Sequence, residues 1–260
     1  MIKNEELLRT YAPAAFAQAP EEGRVSSRYS FLPTTDIHEI LQDEGWTAWK
    51  AQQVNARKWS QGHAKHIVRL RHEDMTMSDF GVGDSFPEML LMNAHNGLGG
   101  YTLQGGIFRM VCSNGMVVSD QDFGKIQIRH IGFEPKQVTQ ASRELIMNAS
   151  QIADKIGGWQ ATEMSERSRK DFFADAAKLR WESPDDGLIL DVATPRRVED
   201  KKTDLWTTFN VAQENLLRGG FRNGSTNRMV RPISNIQKDV NLNTQLWDLA
   251  STYSEGYALN

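Results

Sequence analysis

The sequence predicts an α+β protein, with an antiparallel sheet in the N-terminal half and a mostly helical C-terminal half. Short segments of alternating apolar and polar residues, separated by turn residues, dominate between about residues 65 and 131. From residue 138 onward, apolar residues recur at helical spacing instead. Strand and helix signals do not alternate along the chain, so a parallel sheet built from β-α-β units is not expected.

The N-terminal half begins with a helical signal and continues with strands. Thr34 or Thr35 is a candidate N-cap of a short helix that ends near Gly45. The alternation in residues 65–71 places Val68 and Leu70 on one face of a strand. Further strands are predicted at residues 88–92, from 101, and at 107–112, 116–118 and 125–131, with a hairpin turn at 113–115.

The C-terminal half carries four helical signals. Residues 138–156 have apolar side chains at helical spacing, and Gly157-Gly158 follows as a helix stop. Further helices are predicted over residues 163–181, from about 203 to Gly219-Gly220, and over 240–253. We therefore divide the chain into an N-terminal extension (1–26), a mainly β region (27–135) and a mainly helical region (136–260) that packs with the sheet as one domain.

The composition argues against secreted, membrane-embedded and collagen-like proteins. The chain has 260 residues, 39% of them hydrophobic, with one Cys and a formal net charge of −3. A chain of this length buries a core without disulfides or a structural metal, and a single Cys suits a reducing compartment. No apolar run approaches the roughly 18–20 residues that span a bilayer, and the first residues lack the features of a signal peptide. We therefore expect a cytoplasmic protein.

The mild net charge conceals two segments without any Asp or Glu, residues 51–72 and 215–238. Such segregation creates local fields that the net charge does not report. The basic residues that we select from these segments as candidate nucleic-acid-binding residues are Arg57, Lys58, Lys65, Arg69, Arg71, Arg218, Arg222, Arg228 and Arg231.

The strand at residues 65–71 is the first candidate interface. With Val68 and Leu70 buried, the opposite face presents Lys65, Arg69 and Arg71, and successive positions on that face are about 6–7 Å apart. This pitch suits the phosphates of an extended single strand, and the preceding tryptophans (Trp46, Trp49 and Trp59) supply stacking platforms. The alternative is a solvated sheet face with the tryptophans in the core.

The glycine-rich segment 219–231 is the second candidate. It is too rich in glycine and polar residues to be helical, and it carries Arg222, Arg228 and Arg231 without an acid. Arginines in such a loop neutralise phosphates in a salt-dependent way. A surface connection between two helices, or an arm that packs on a neighbouring subunit, explains the same composition.

Catalytic and metal signals are weak. His63 and His66 are three residues apart, which places them on opposite faces of a strand, and no zinc-site spacing accompanies them. Cys112 ends an apolar strand, where an inert thiol is the usual case. We expect Asn93, His95, Asn96 and Gly97 to shape turns, whereas the sequence does not decide the role of Arg109. The sequence therefore favours a protein without catalytic residues, metal or other cofactor.

Several segments, read together, resemble one known family. They are Ser27-Arg28-Tyr29, Pro33-Thr34, residues 65–71, 91–97 and 108–115, Thr194-Pro195-Arg196-Arg197, Asp204-Leu205-Trp206, residues 213–220, Asp239-Val240-Asn241-Leu242-Asn243 and Leu246-Trp247. The chain resembles the phage- and plasmid-like family of unknown function that includes the YfjQ- and YafZ-type prophage proteins. The resemblance implies a mobile genetic element in a bacterial host, and it brings no assigned activity. One departure is Asn96 in Asn93-Ala94-His95-Asn96-Gly97, where the family pattern has Asp.

Two functions from different classes fit these observations. The first is a single-stranded DNA-binding protein of a mobile element, an annealing or recombination accessory whose weak sites are joined by homo-oligomerisation. The second is an anti-defence protein that blocks a host nuclease or restriction system by direct binding. Its acidic patches would then matter most (Asp79, Asp84, Glu88, Asp185 and Asp186). The first hypothesis is preferred, with no membrane partner.

Overall fold

The computed structural model describes residues 4–25, 29–55, 60–75, 85–97, 101–109, 115–117, 125–128, 134–223 and 226–258. These residues fall into two compact units. The first contains those within 1–80, 85–108 and 120–150, and the second those within 81–84, 109–119 and 151–260. The predicted α+β class is confirmed, because the sheet precedes a mostly helical C-terminal half.

The strands of the first unit build an antiparallel sheet. Their bounds are β1 Trp46–Gln53, β2 His66–His72, β3 Ser85–Asn93, β4 Tyr101–Arg109 and β6 Lys125–Ile128, while β5 Gly115–Val117 belongs to the second unit. β1, β2, β3 and β4 are neighbours in that order, and β6 pairs with β4. Val68 pairs with Ala51 on one side and with Leu91 on the other, so three apolar side chains share one buried face.

Helices cover the buried face of this sheet. They are α1 Asn4–Tyr11, α2 Thr34–Asp43 and the first part of α3 Pro135–Ala161. α2 buries Ile37 and Leu41 completely, as its predicted apolar face requires. The indole Nε1 of Trp46, on β1, donates a 2.7 Å hydrogen bond to the Ser142 hydroxyl of α3. Burying an indole is tolerated when its N–H finds an acceptor of this kind.

The second unit is mostly helical. Besides the last residues of α3 it contains α4 Glu166–Lys178, α5 Asp186–Ala193, α6 Leu205–Arg218 and α7 Ile236–Ala258. Its core includes an aromatic cluster, in which the ring centroids of Trp159 and Trp247 are 4.3 Å apart and those of Trp206 and Phe209 are stacked at 5.7 Å. α6 lies against these rings and is buried along almost its whole length.

Local sequence sets the helix ends in this unit. Ser165, Asp185 and Asp204 each accept a hydrogen bond from a backbone N–H of the first turn of α4, α5 and α6, which satisfies donors that a helix start leaves open. α6 ends as predicted at Gly219, whose positive φ of 57° few other residues adopt. A Cβ at that position would also collide with the carbonyl oxygen of Val230.

Several predicted details are wrong. Thr34 is the first residue of α2 rather than its N-cap, and its hydroxyl bonds to histidines instead of the helix backbone. α3 continues through Gly157-Gly158, because the next turn buries Trp159 in the aromatic cluster. β1, α1 and α5 lack a clear local sequence signal and were not predicted. The turn predicted at residues 113–115 lies outside the described residues except for Gly115. Within the described ranges, no helix is both long and apolar enough to cross a bilayer.

Candidate functional site

The basic face predicted for β2 is occupied by an ion pair network. The Nε atoms of Arg69 and Arg71 donate to the two carboxylate oxygens of Glu88, each at 2.7 Å. Glu88 lies on β3, one position beyond the Leu70–Met89 pair, and is 1% exposed, while Arg69 is 7% exposed. The expectation that Arg69 stands on an exposed face is therefore wrong, since a cross-strand carboxylate neutralises it inside the protein. We call these three residues the sheet triad.

Trp49 lies beside the sheet triad and is 40% exposed. The guanidinium carbon of Arg71 lies 3.7 Å from the centroid of the Trp49 ring, and that of Arg69 lies 5.6 Å away. A guanidinium on an indole face is a favourable cation–π contact. Of the other predicted stacking residues, Trp46 is 1% exposed and Trp59 lies outside the described residues.

The remaining basic residues of this segment contribute less. Lys65 is half-buried, and burial lowers the pKa of its ammonium group. Burial also lowers the pKa of Arg71, against the opposing effect of the Glu88 charge, although an arginine stays protonated at neutral pH. Arg57 and Lys58 lie outside the described residues, so their binding role stays a prediction.

A second polar group in the first unit is completely buried. It joins α2 to three strands, and no member is more than 2% exposed. We call it the Thr34 cluster, which consists of Thr34, His66, Asn93, His95 and Tyr101.

Hydrogen bonding assigns the protons in the Thr34 cluster. His66 Nδ1 lies 2.9 Å from the Ala64 carbonyl, so it is the donor nitrogen, and Nε2 accepts from the Thr34 hydroxyl at 2.9 Å. The Asn93 amide nitrogen donates to the same hydroxyl oxygen at 2.9 Å. Burial lowers the pKa of His66 to about 4, so its ring is neutral at physiological pH.

The Thr34 cluster corrects the interpretation of Asn93 and His95 as turn residues. Both are buried, and the ring of His95 packs against those of His66 and Phe31. Gly97 alone has the positive φ (75°) that the turn interpretation requires. The alternation of β2 placed His66 on the buried face, but nothing in the local sequence indicated that Thr34 would meet it.

In the second unit, the arginine hairpin follows α6. We define it as residues 219–231, of which 224 and 225 lie outside the described residues. Backbone N–H groups of Gly220, Asn223 and Val230 bond across it at 2.8–2.9 Å, which pairs its two arms. Arg222, Arg228 and Arg231 are exposed on it, as the sequence analysis expected, and Met229 between them is 53% exposed.

Two further arginines hold the base of the arginine hairpin. Arg196 donates to the Gly219 carbonyl and, at 2.5 Å, to the Asn215 side chain. Arg180 donates to the Leu216 carbonyl and, at 2.6 Å, to the Arg231 carbonyl. Cations at these carbonyls complement the negative end of the α6 dipole. Arg180 and Arg196 were not predicted as site residues, because only the packing of the unit brings them to the end of α6.

Arg218 is part of a second ion pair network. Glu214 is 3% exposed and accepts from Arg197 at 3.0 Å and from Arg218 at 3.1 Å. The Arg218 side chain is 41% exposed, so one edge of this helix triad (Arg197, Glu214 and Arg218) reaches solvent. Arg218 is therefore a paired residue beside the hairpin rather than one of its exposed arms.

Metal and thiol chemistry gain no support from the part of the chain that is described. No group of three or more His, Cys, Asp or Glu side chains is close enough there to hold a metal ion. His63 bonds to the Ala19 carbonyl at 3.1 Å, whereas His66 faces Thr34. Cys112 and His130 lie outside the described residues, as does the side chain of Arg109.

Comparison with known proteins identifies the family. The model of a domain of unknown function, DUF932, matches residues 22–247. The chain belongs to the DUF932 family. The UPF0380 protein YfjQ of Escherichia coli (strain K12) is 32% identical over 256 residues, which cover 96% of this chain and 91% of that protein. The UPF0380 protein YafZ of the same strain is 32% identical over 254 residues, covering 96% and 90%. No solved structure matches the chain significantly.

Family membership confirms the resemblance drawn from the sequence. The matched segment contains all of the Thr34 cluster, both ion pair networks and the arginine hairpin. The family description carries no activity.

Proposed function

We propose that this protein binds single-stranded DNA through the arginine hairpin, as an annealing or recombination accessory of a phage or plasmid. The observation that carries the proposal is the hairpin itself, which presents Arg222, Arg228 and Arg231 to solvent. It lies in a segment without Asp or Glu from residue 215 to 238. Exposed arginines without neighbouring acids attract phosphates strongly, and the attraction weakens with salt.

The frame of the hairpin favours a binding role over a loose connection. Arg180 and Arg196 hold its base to the end of α6, and the Arg222 guanidinium donates at 3.0 Å to the Asn227 carbonyl across the arms. A held hairpin presents its cations without a large loss of conformational freedom on binding. In this mechanism the arginines hold the phosphates, the bases stay accessible for pairing with a second strand, and no metal or nucleotide is consumed.

The net charge of −3 opposes DNA binding by a single copy. We therefore propose that homo-oligomers act on DNA, because linked weak sites bind far more tightly than one. The structure offers the anti-defence hypothesis less support. Of the acidic residues that this hypothesis requires, Glu88 is buried between two arginines and Asp185 caps α5.

A charge-matched pair of variants tests the proposal. Arg228→Ala with Arg231→Ala removes two cations from the hairpin, and Lys201→Ala with Lys202→Ala removes two exposed cations elsewhere in the same unit. Binding of a labelled single-stranded oligonucleotide and of its duplex is followed by fluorescence anisotropy between about 50 and 200 mM salt, where affinity that depends on phosphate contacts falls steeply.

We expect the hairpin variant to bind at least tenfold more weakly and to lower the salt slope by about 1.4, the value for two phosphate contacts on a single strand. The lysine variant should behave like the wild type. Equal affinities of the two variants would contradict the hairpin assignment. A wild-type protein that binds no DNA at low salt would overturn the proposal and direct the search to a host protein.

A further inference from the structure

We infer that Met229, on the outer face of the arginine hairpin, contacts one unpaired nucleobase while Arg222 and Arg231 hold the phosphates on either side of it. The inference rests on the proposed function and deepens it, because it names the face of the hairpin on which an extended single strand lies. It concerns the second unit alone.

Arg222 and Met229 are opposite each other on the two arms of the hairpin, where they form an isolated antiparallel bridge. The backbone hydrogen bonds between the arms lie on either side of this pair, at 2.8 and 2.9 Å. Arg222 and Met229 are therefore a non-hydrogen-bonded pair, in which the two Cα atoms are about 4.5 Å apart and the side chains are closest. The guanidinium stem and the thioether leave the hairpin side by side.

The alternation of side chains divides the hairpin into an inner and an outer face. Val230 is 8% exposed, and Phe221 opposite it is half-buried. Neighbours along each arm point the other way, so Arg222, Met229 and Arg231 share the outer face, and all three are exposed. The inner face packs the hairpin onto the unit, which leaves the outer face accessible to a ligand.

The two arginines of the outer face differ from those of the sheet triad and the helix triad. Among the described residues, no carboxylate pairs with Arg222 or Arg231. Arg222 donates one N–H to the Asn227 carbonyl at 3.0 Å, and a guanidinium has five such donors. The backbone of Arg231 is held by Arg180 through its carbonyl, while its side chain stays exposed. Both guanidinium groups can therefore bind phosphate.

The spacing of the two arginines suits one nucleotide. Arg231 is the diagonal neighbour of Arg222 across the hairpin, and diagonal neighbours are about 7–8 Å apart. Long side chains at this distance can hold two successive phosphates of an extended strand. Met229 adjoins both arginines, one across the arms and the other two positions along its own arm, so the nucleoside between the two phosphates lies against its thioether.

A thioether suits a base of any identity. Methionine is flexible and polarisable and makes favourable contacts with aromatic rings, and every nucleobase has a π-face. Contact with that face leaves the pairing edge of the base free, as annealing requires. In a duplex the bases already stack on each other, so only an unpaired base offers its face to Met229. A protein partner fits less well, because protein interfaces bury apolar centres of several residues.

The test compares Met229→Gln with Leu190→Gln. Both residues are exposed apolar side chains of the second unit, at 53% and 68%, and Leu190 lies on α5, outside the hairpin. Two labelled single-stranded oligonucleotides of equal length serve as probes, one with bases and one abasic throughout. Met229→Leu keeps an apolar side chain of similar volume, and Arg231→Ala removes a phosphate contact.

We expect Met229→Gln to weaken binding of the base-bearing strand about fivefold and to leave the abasic strand and the salt slope unchanged. Met229→Leu should bind close to the wild type, and Leu190→Gln should match it on both strands. Arg231→Ala should instead weaken binding of both strands and lower the salt slope by about 0.7, the value for one phosphate contact.

Three outcomes would contradict the inference. Wild-type affinity of Met229→Gln for the base-bearing strand would overturn the base contact, while a lowered salt slope in Arg231→Ala would leave the proposed function standing. An equal loss on both strands in Met229→Gln would also overturn the base contact, because such a contact requires a base. Failure of the wild type to bind either strand would overturn the base contact and the proposed function together.

Discussion

Each of the two units contains a buried glutamate that bridges two arginines. The two networks differ in how far their arginine side chains are exposed to solvent. In the sheet triad the side chains of Arg69 and Arg71 are 9% and 30% exposed. In the helix triad the side chains of Arg197 and Arg218 are 13% and 41% exposed. The first network lies between two strands and supports an exposed indole, whereas the second lies at the end of α6 beside the arginine hairpin. The same Arg–Glu–Arg arrangement thus contacts an exposed indole in one unit and lies at a helix terminus in the other.

Among the variants considered, a substitution of Glu88 should reduce stability the most. Glu88→Gln leaves Arg69 buried without its counter-charge, and breaking a buried pair in this way costs about 3–5 kcal/mol. We expect hydrogen exchange of the β2 and β3 amides to accelerate accordingly. An unchanged exchange rate would mean that the triad contributes little to the stability of the sheet.

The second largest effect on stability should come from acid, which destabilises the first unit. The folded pKa of His66 is lowered to about 4 by burial, below its ordinary value of about 6.5, so between these values the unfolded chain binds the proton more readily. The stabilisation is complete above about pH 6.5 and is lost as the pH falls towards 4, at a cost of roughly 3 kcal/mol. Burial also lowers the pKa of His38, which acts in the same direction.

The control for this pH effect is His66→Gln, which keeps a polar side chain at the position and removes the titration. Urea unfolding followed at pH 4.5 and pH 7 should show a smaller pH dependence in the variant than in the wild type. Equal pH dependence in both proteins would show that His66 does not carry the effect.

Glu214→Gln should cost less than Glu88→Gln. Arg218 already contacts water, so only Arg197 is left largely buried without its counter-charge, and we expect a loss of about 1–3 kcal/mol. Hydrogen exchange of the α6 amides measures it. A larger loss than that of Glu88→Gln would reverse the comparison between the two triads.

Arg218→Ala should have the smallest effect on stability. Its side chain is 41% exposed, and exposed ion pairs contribute roughly 0.2–1 kcal/mol. Glu214 keeps Arg197 as a partner in this variant. Thermal unfolding should therefore show a midpoint close to that of the wild type, and a marked decrease would indicate that Arg218 also supports the hairpin.

Local patterns predicted much of the backbone. The alternation of residues 65–71 found the buried face of β2, and Gly219-Gly220 marked the end of α6. β1 escaped prediction because its bulge at Trp49 interrupts the alternation that identifies a strand. Gly157-Gly158 misled the prediction of α3, because glycine ends a helix only when tertiary packing does not continue it.

The candidate site was less accessible to sequence analysis than the fold. The segment that became the arginine hairpin was identified correctly as non-helical and rich in exposed arginine, since glycine and a lack of acids are local properties. Arg180 and Arg196 at its base were missed, because they bond to backbone carbonyls 23 or more residues away in the chain. The Thr34 cluster was missed for the same reason, with Thr34 and His95 separated by 61 positions.

The amino-acid sequence by itself determined the α+β class, the inward face of β2 and the two segments without acidic residues, because these depend on residues close together in the chain. The tertiary structure decided which positive charges reach solvent. Arg69 and Arg71 meet Glu88 from 19 and 17 positions away, and no local pattern reports such a pairing. In this protein, folding pairs Arg69 and Arg71 with a buried carboxylate and leaves Arg222, Arg228 and Arg231 of the arginine hairpin exposed to solvent.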